Sequence, residues 1–302
     1  MFILDWLRIA VSWILVQFHA LLSPVFGSTS GVAWTLSIVG LVLVIRITLI
    51  PLFVKQIKAQ RNLQIIQPQM KAIQEKYAGD RERQSQEMMK LYRETGTNPF
   101  SSCLPLLLQA PIFFALFSVL QGIATSTKEG VFKWTQYDGL LDQAREALLF
   151  NVPLYGTFKD AAETVAPLNT RVLAGALVVL MTVTTFITQR QLIVKNVAPD
   201  NPMVQQQKIL LYVFPPMFAI GGFGFPIGVL VYWSVSNLWT MGQQFWVIRN
   251  SPQPGTPAYA AWEERQRKKG KLPEIDNTPP PPSAPAPRVQ PKREPRGKRK
   301  KK

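Results

Sequence analysis

The stretch WTLSIVGLVLVIRITLIPLFV, Trp34 to Val54, constrains this chain more than any other. It is apolar and, at about 20 residues and ~1.5 Å of rise each, long enough to cross a bilayer as a helix. Its middle holds one full charge, Arg46. The first charge on its C-terminal side, Lys55, lies roughly 13 Å of helix further on. A side chain cannot snorkel that far, so the guanidinium must meet water, a partner or a deformed bilayer. The cost of an unpaired central arginine runs from about 3 to more than about 10 kcal/mol. A carboxylate on a neighbouring helix would neutralise it, but the other apolar stretches contain no Asp or Glu. The residues therefore point to a water-exposed, functional Arg46.

Hydrophobic residues make up 47% of the 302 positions and fall in long blocks with the charge gathered between them, the pattern of a multi-span membrane protein. A net charge of +16 implies anionic partners, either lipid head groups or RNA. One cysteine, Cys103, and one histidine, His19, exclude an internal disulfide and leave no basis for a metal site or a catalytic triad. Neither a metal nor a cofactor is expected. The N-terminus shows no basic region and no small-residue cleavage site, so no removable signal peptide is expected.

In MFILDWLRIAVSWILVQFHALL, residues Asp5, Arg8, Ser12 and His19 recur at helical spacing and stripe one face with polar groups. Phe2, Ile3, Trp6, Ile9, Trp13, Ile14 and Phe18 occupy the other faces. A helix lying in the membrane interface fits this better than a span, with a sixth crossing as the alternative. After Val54 the chain turns polar. Leu63, Ile66, Met70, Ile73 and Tyr77 form a seam two heptads long, broken at Ala78, Gly79 and Asp80; Met88, Leu91 and Thr95 resume it. Two antiparallel helices over 55–102 are the simplest object with that pattern, and a plain solvated coiled-coil pair is its unremarkable form.

Further spans are expected at about 103–125, 172–189, 209–222 and 229–248. Pro105 and Pro111 should bend the first of these, and Gln109 places an amide within it. Thr182, Thr184, Thr185 and Thr188 crowd the end of the next, beside Gln189. The 126–170 linker reads as irregular or partly helical. From Arg249 the chain reads as disordered, Pro-rich over Thr278–Pro287 and ending in PKREPRGKRKKK. Arg293, Arg296, Lys298, Arg299, Lys300, Lys301 and Lys302 suit anionic lipid or a phosphate backbone without base readout. Basic residues concentrate in the 55–102 hairpin, the 190–208 link and the tail, which the positive-inside bias puts in the cytosol. With five crossings the N-terminus then lies outside.

Three of these stretches resemble one family. QEMMKLYRETGTNPFSSCLPLLLQAPIFFALF, FPIGVLVYWSVSNLWTMGQQ and VIRITLIPL are similar, in order and interval, to segments of YidC-type membrane protein insertases. The resemblance runs from about Trp34 to Ile248, and its lack of a large preceding domain resembles the Gram-positive, actinobacterial-like form. Many Gram-positive members carry a lipoprotein signal, and this chain has no cysteine near its start. The resemblance implies an all-α integral membrane protein, five spans around a hydrophilic groove that is closed to the outside, in a bacterial plasma membrane. It implies Arg46 as the groove's charge, with Gln189 and Trp233 lining it and Asn237 and Gln109 as further polar members. It also implies a mobile cytosolic hairpin, and as partners nascent membrane proteins, the ribosome through the basic tail, and the Sec translocon.

Such a protein needs no covalent chemistry and would not be an enzyme: the spans hold no paired Asp, Ser–His pair or metal set. The rival reading is a small-solute transporter or channel in which Arg46 binds an anion. No repeated half of the kind many transporters carry is visible. A membrane protein that only tethers RNA through its tail is a third reading.

Overall fold

The computed structural model describes residues 2–54, 66–96, 104–196, 203–252 and 256–271. Two compact units divide the chain, Met1–Trp262 and Glu263–Lys302. The long helices of the first are α1 (Phe2–Phe26), α2 (Gly31–Thr48), α5 (Leu104–Thr125), α7 (Pro167–Asn196), α8 (Met203–Gly222) and α9 (Ile227–Asn250). Between them lie the pair α3 (Gln67–Lys76) and α4 (Arg81–Glu94), the short α6 (Leu140–Glu146), and the hairpin β1 (Leu148–Leu149) and β2 (Val152–Pro153).

Helix α9 is the axis. Its first six residues, Ile227 to Tyr232, are all buried, as a helix apolar on every side must be. It packs against α2, α5 and α7, and α8 packs against α7. Residues 126–166 cap one end of this bundle. The Ile227 and Gly228 amides donate to Gly156 and Leu154 carbonyls, each at 2.9 Å, and Ser30 bridges to Leu148. A Cβ on Gly31 would stand 2.2 Å from the Leu148 carbonyl carbon, so the cap rests directly on the first turn of α2.

The polar stripe of α1 faces the protein from Arg8 to His19, while Asp5 stays exposed. Ser12 and His19 are buried, whereas Phe2, Ile3, Trp6 and Trp13 are exposed. The interior supplies the partners that burial demands. The Val131 amide donates to Ser12 Oγ at 2.9 Å, Arg8 Nε donates to Ser118 Oγ at 2.7 Å, and Glu129 pairs with both Arg8 and Lys133. His19 stacks on Trp34 and its Nε2 lies 2.9 Å from the Ser28 carbonyl. From Arg8 to His19, about 16 Å of helix, these partners come from the cap, from Ser118 on α5 and from the α1–α2 junction.

Several expected boundaries shift. The 34–54 span is helical from Gly31 to Thr48, turns at Leu49 and resumes over 50–54. Pro51 explains the break, because it has no amide to give the Ile47 carbonyl. Pro105 falls in the first turn of α5, where a missing amide costs nothing, and only Pro111 lies inside the helix. Helices α7 and α8 both begin earlier than hydropathy alone suggests: α7 opens on Pro167, which suits a first helical position, and α8 on a polar, glutamine-rich turn that forms helix readily.

Within the described residues 66–96 the two hairpin helices, α3 and α4, are present. Asp80 caps α4 by accepting from the Arg83 amide at 3.0 Å, Ile66 and Leu91 are buried, and the Tyr92 hydroxyl reaches Met70 Sδ at 3.9 Å. Leu63 lies outside the described residues. The expectation that everything beyond Arg249 is irregular is corrected by α10, Pro257–Lys268. AYAAWEERQRKK is rich in strong helix formers, starts at Thr256–Pro257, and is stopped by Gly270 at φ +66. Glu264 and Lys268 pair at 2.8 Å across one turn of it.

Candidate functional site

Tyr232 and Ser236 stand one turn apart on α9, on the face that meets α2 and α5. Arg46, from the last turn of α2, donates through Nη2 to Ser236 Oγ. The Tyr232 hydroxyl lies close to both Ser236 and Gln109, the latter from α5. Three helices far apart in the chain thus bring one cation and three polar side chains together. Tyr232 and Ser236 are buried; Arg46 and Gln109 are half-buried.

The cluster is cationic without a counter-ion. Among the described residues no carboxylate lies within 4.0 Å of Arg46. A guanidinium has five N–H donors, and a single serine hydroxyl cannot occupy them all. Among the described residues Ser236 is the one hydrogen-bond partner of Arg46.

Trp233, next to Tyr232, points into an aromatic layer on the capped side of the cluster. Its ring lies 5.4 Å from Phe113, 5.0 Å from Phe218 and 5.7 Å from Phe225, and Phe117 packs edge-on against Phe225. Rings from α5, α8, α9 and the α8–α9 turn meet at this layer. The layer is aromatic, and its rings are half-buried.

Asn237 sits one residue round the helix and looks elsewhere. Its Nδ2 donates to Thr185 Oγ1 at 2.9 Å and to the Met181 carbonyl at 3.3 Å, both on α7. Gln189, half-buried, lies one turn beyond Thr185 on the same side of α7. The threonine-rich end of α7 is less wettable than its composition suggests. Thr182, Thr184 and Thr188 each return their hydroxyl to a carbonyl of their own helix at 2.7 Å. Among the described residues, Trp239 Nε1 and Gln191 Oε1 further along are buried without a hydrogen-bond partner.

Of the residues expected from sequence, Arg46 and Gln109 each lie beside Tyr232, Trp233 is its neighbour on α9, and Asn237 and Gln189 belong to the α7 side. Tyr232 and Ser236 were not foreseen. Their spacing of four on α9 was the available signal. The terminal basic residues Arg293 to Lys302 lie outside the described residues.

Comparison with known proteins gives a consistent result. A family model described as 60Kd inner membrane protein matches residues 25–254. A membrane protein insertase YidC of Streptomyces avermitilis is 55% identical over 271 residues, 87% of this chain and 62% of that protein. One from Tropheryma whipplei is 40% identical over 279 residues, 86% of this chain and 89% of the other. One from Mycobacterium tuberculosis is 33% identical over 269 residues, 82% and 73% of the two chains. A crystal structure of an active YidC insertase, with its first transmembrane domain resolved, matches with a TM-score of 0.50 at 24% identity. That match covers 78% of this chain and 46% of the other, and it is a likeness of fold.

Proposed function

The chain belongs to the 60Kd inner membrane protein family, that of the YidC insertases, and from this we propose that it helps newly made membrane proteins enter the bilayer. The observation that carries the proposal is Arg46, a cation without a carboxylate partner among the described residues, aimed at Ser236 between three helices.

The physical problem is not the apolar helix of a substrate, which enters lipid readily. It is the polar or acidic segment that must cross with it. A hydrated recess part-way through the membrane shortens the low-dielectric path. Arg46 lowers the cost further for acidic groups, because attraction between opposite charges strengthens as the dielectric falls. Tyr232, Ser236 and Gln109 offer neutral hydrogen-bonding groups beside it. Trp239 Nε1 and Gln191 Oε1 are further groups that a passing chain or water can satisfy. The aromatic layer around Trp233 gives the recess a floor, so it opens toward one side only. Exposed apolar side chains on α7 and α8, among them Val183, Ile187, Val213 and Met217, offer the substrate helix a lipid-facing way out.

The basic segments put the open end in the cytosol and the cap outside. In this arrangement α1 lies in the outer interface, with Trp6 and Trp13 toward lipid. Hairpin α3–α4 receives substrates, the basic tail contacts ribosomal RNA, and the Sec translocon is a partner for larger substrates. No step requires bond chemistry.

Reconstitution into liposomes tests the proposal. The purified protein should integrate a newly made single-span protein with an acidic crossing segment, where empty liposomes do not. Uptake of a small anionic solute without such integration would instead establish the transporter reading.

A further inference from the structure

The hairpin Leu148–Pro153 carries a side chain that its own turn disfavours. Leu149 pairs with Val152, leaving a two-residue loop, and both loop residues are left-handed: Phe150 at φ +52 and Asn151 at φ +66. Such a loop selects Asn, Asp or Gly, because a Cβ in that region meets the backbone. Asn151 obeys the rule; Phe150, a bulky residue, does not. Nor does burial repay it, since Phe150 is 78% exposed.

The rest of the hairpin is rigidly held. Ala147, Leu149, Val152 and Leu154 are buried, and the strand lies against Gly31 so closely that no side chain fits there. A strained conformation persists where its surroundings dictate it, and it marks a position selected for something else. From Ala147 to Thr157 the chain has no charge, although charged residues flank it on both sides. Ser30 ties the hairpin to the α1–α2 junction, where Val25 is 76% and Phe26 43% exposed. The same end of the bundle shows Val165 and Leu168 near the start of α7, both more than 70% exposed.

We propose that Phe150 is a membrane anchor: the hairpin tip inserts its ring into the head-group region of the leaflet on the capped side. An aromatic ring on an uncharged tip, beside other outward-facing apolar side chains, fits the amphiphilic interface of a bilayer. A rigid hairpin then fixes the depth and tilt of α2, the helix that carries Arg46. This holds whatever the groove transports.

The test places a spin label at Leu148→Cys in a Cys103→Ser background of the full-length protein. The protein is reconstituted in vesicles of phosphatidylethanolamine and phosphatidylglycerol. A label at Gln136→Cys, elsewhere on the cap, is the control. The ratio of oxygen to nickel-complex accessibility at 148 should exceed the control several-fold and fall toward it when Phe150→Asn is added. Phe150→Asn should melt in detergent at or above the parent's temperature, because asparagine suits the turn. A water-like ratio at 148, no response to Phe150→Asn, or a lower melting temperature would each overturn the proposal. The first would also be the result if the tip served a protein partner.

Discussion

The guanidinium of Arg46 donates to the hydroxyl of Ser236, 190 residues away in the chain, across the contact between α2 and α9. Tyr232 and Gln109 extend that contact to α5. Arg46 is thereby held at a defined place with no carboxylate partner among the described residues. An ion pair with a carboxylate would hold it as firmly but cancel its charge.

Tyr232→Phe and Ser236→Ala should each reduce insertion of substrates with acidic crossing segments by roughly 2- to 10-fold, the range of one hydrogen bond at about 0.5–1.5 kcal/mol. The charge stays in both variants, so neither should abolish activity. Insertion assays at matched protein levels measure this, and a complete loss in either variant would mean the hydroxyls do more than orient Arg46.

Asn237→Ala should act on the fold. It removes two hydrogen bonds to α7, at 2.9 and 3.3 Å, and should cost about 1–3 kcal/mol of stability. Thermal unfolding in detergent reads this directly. At matched levels of folded protein, acidic and neutral substrates should be affected alike; selective loss of acidic ones would place Asn237 with Arg46.

What could be read beforehand was what depends on local pattern. Arg46 stands out because no charge lies near enough to draw it from the membrane. The helices follow from runs of apolar residues, and the hairpin from its heptad seam. Contact across helices was not readable in the same way. Ser236 and Asn237 are neighbours in sequence, yet ~100° of helix separates them, enough to send one to Arg46 and the other to Thr185. The stripe on α1 shows the same limit. Periodicity finds a polar face, but whether it meets water or buried partners such as the Val131 amide depends on the fold. Helix α10 was hidden by the proline-rich sequence that surrounds it.

Topology can be checked with thiols in a Cys103→Ser background. Gln136→Cys, on the exposed surface of the cap, should react with a membrane-impermeant reagent added to intact cells, and Gly79→Cys, at the hairpin turn, should not. The opposite labelling would turn the molecule over and remove the hairpin from the substrates' side.

Deleting 289–302 removes eight of the chain's basic residues and no part of the described fold. Ribosome co-sedimentation should weaken, and in the intact protein it should fall steeply with salt, because phosphate contacts release counterions. Membrane insertion of the protein itself should be unchanged. Equal co-sedimentation at low salt would remove the tail from ribosome contact.

The charge of Arg46 is the centre of the account, and a substrate series measures it most directly. Single-span substrates that differ only in the number of Asp and Glu residues in the crossing segment would be inserted by the parent, Arg46→Lys and Arg46→Ala at matched protein levels. Lysine keeps the charge without the planar fork, so Arg46→Lys should retain much of the activity. Arg46→Ala should lose it in proportion to the acidic residues carried, with the neutral substrate least affected. Equal insertion by Arg46→Ala and the parent across the whole series, or an equal loss for every substrate, would contradict the account.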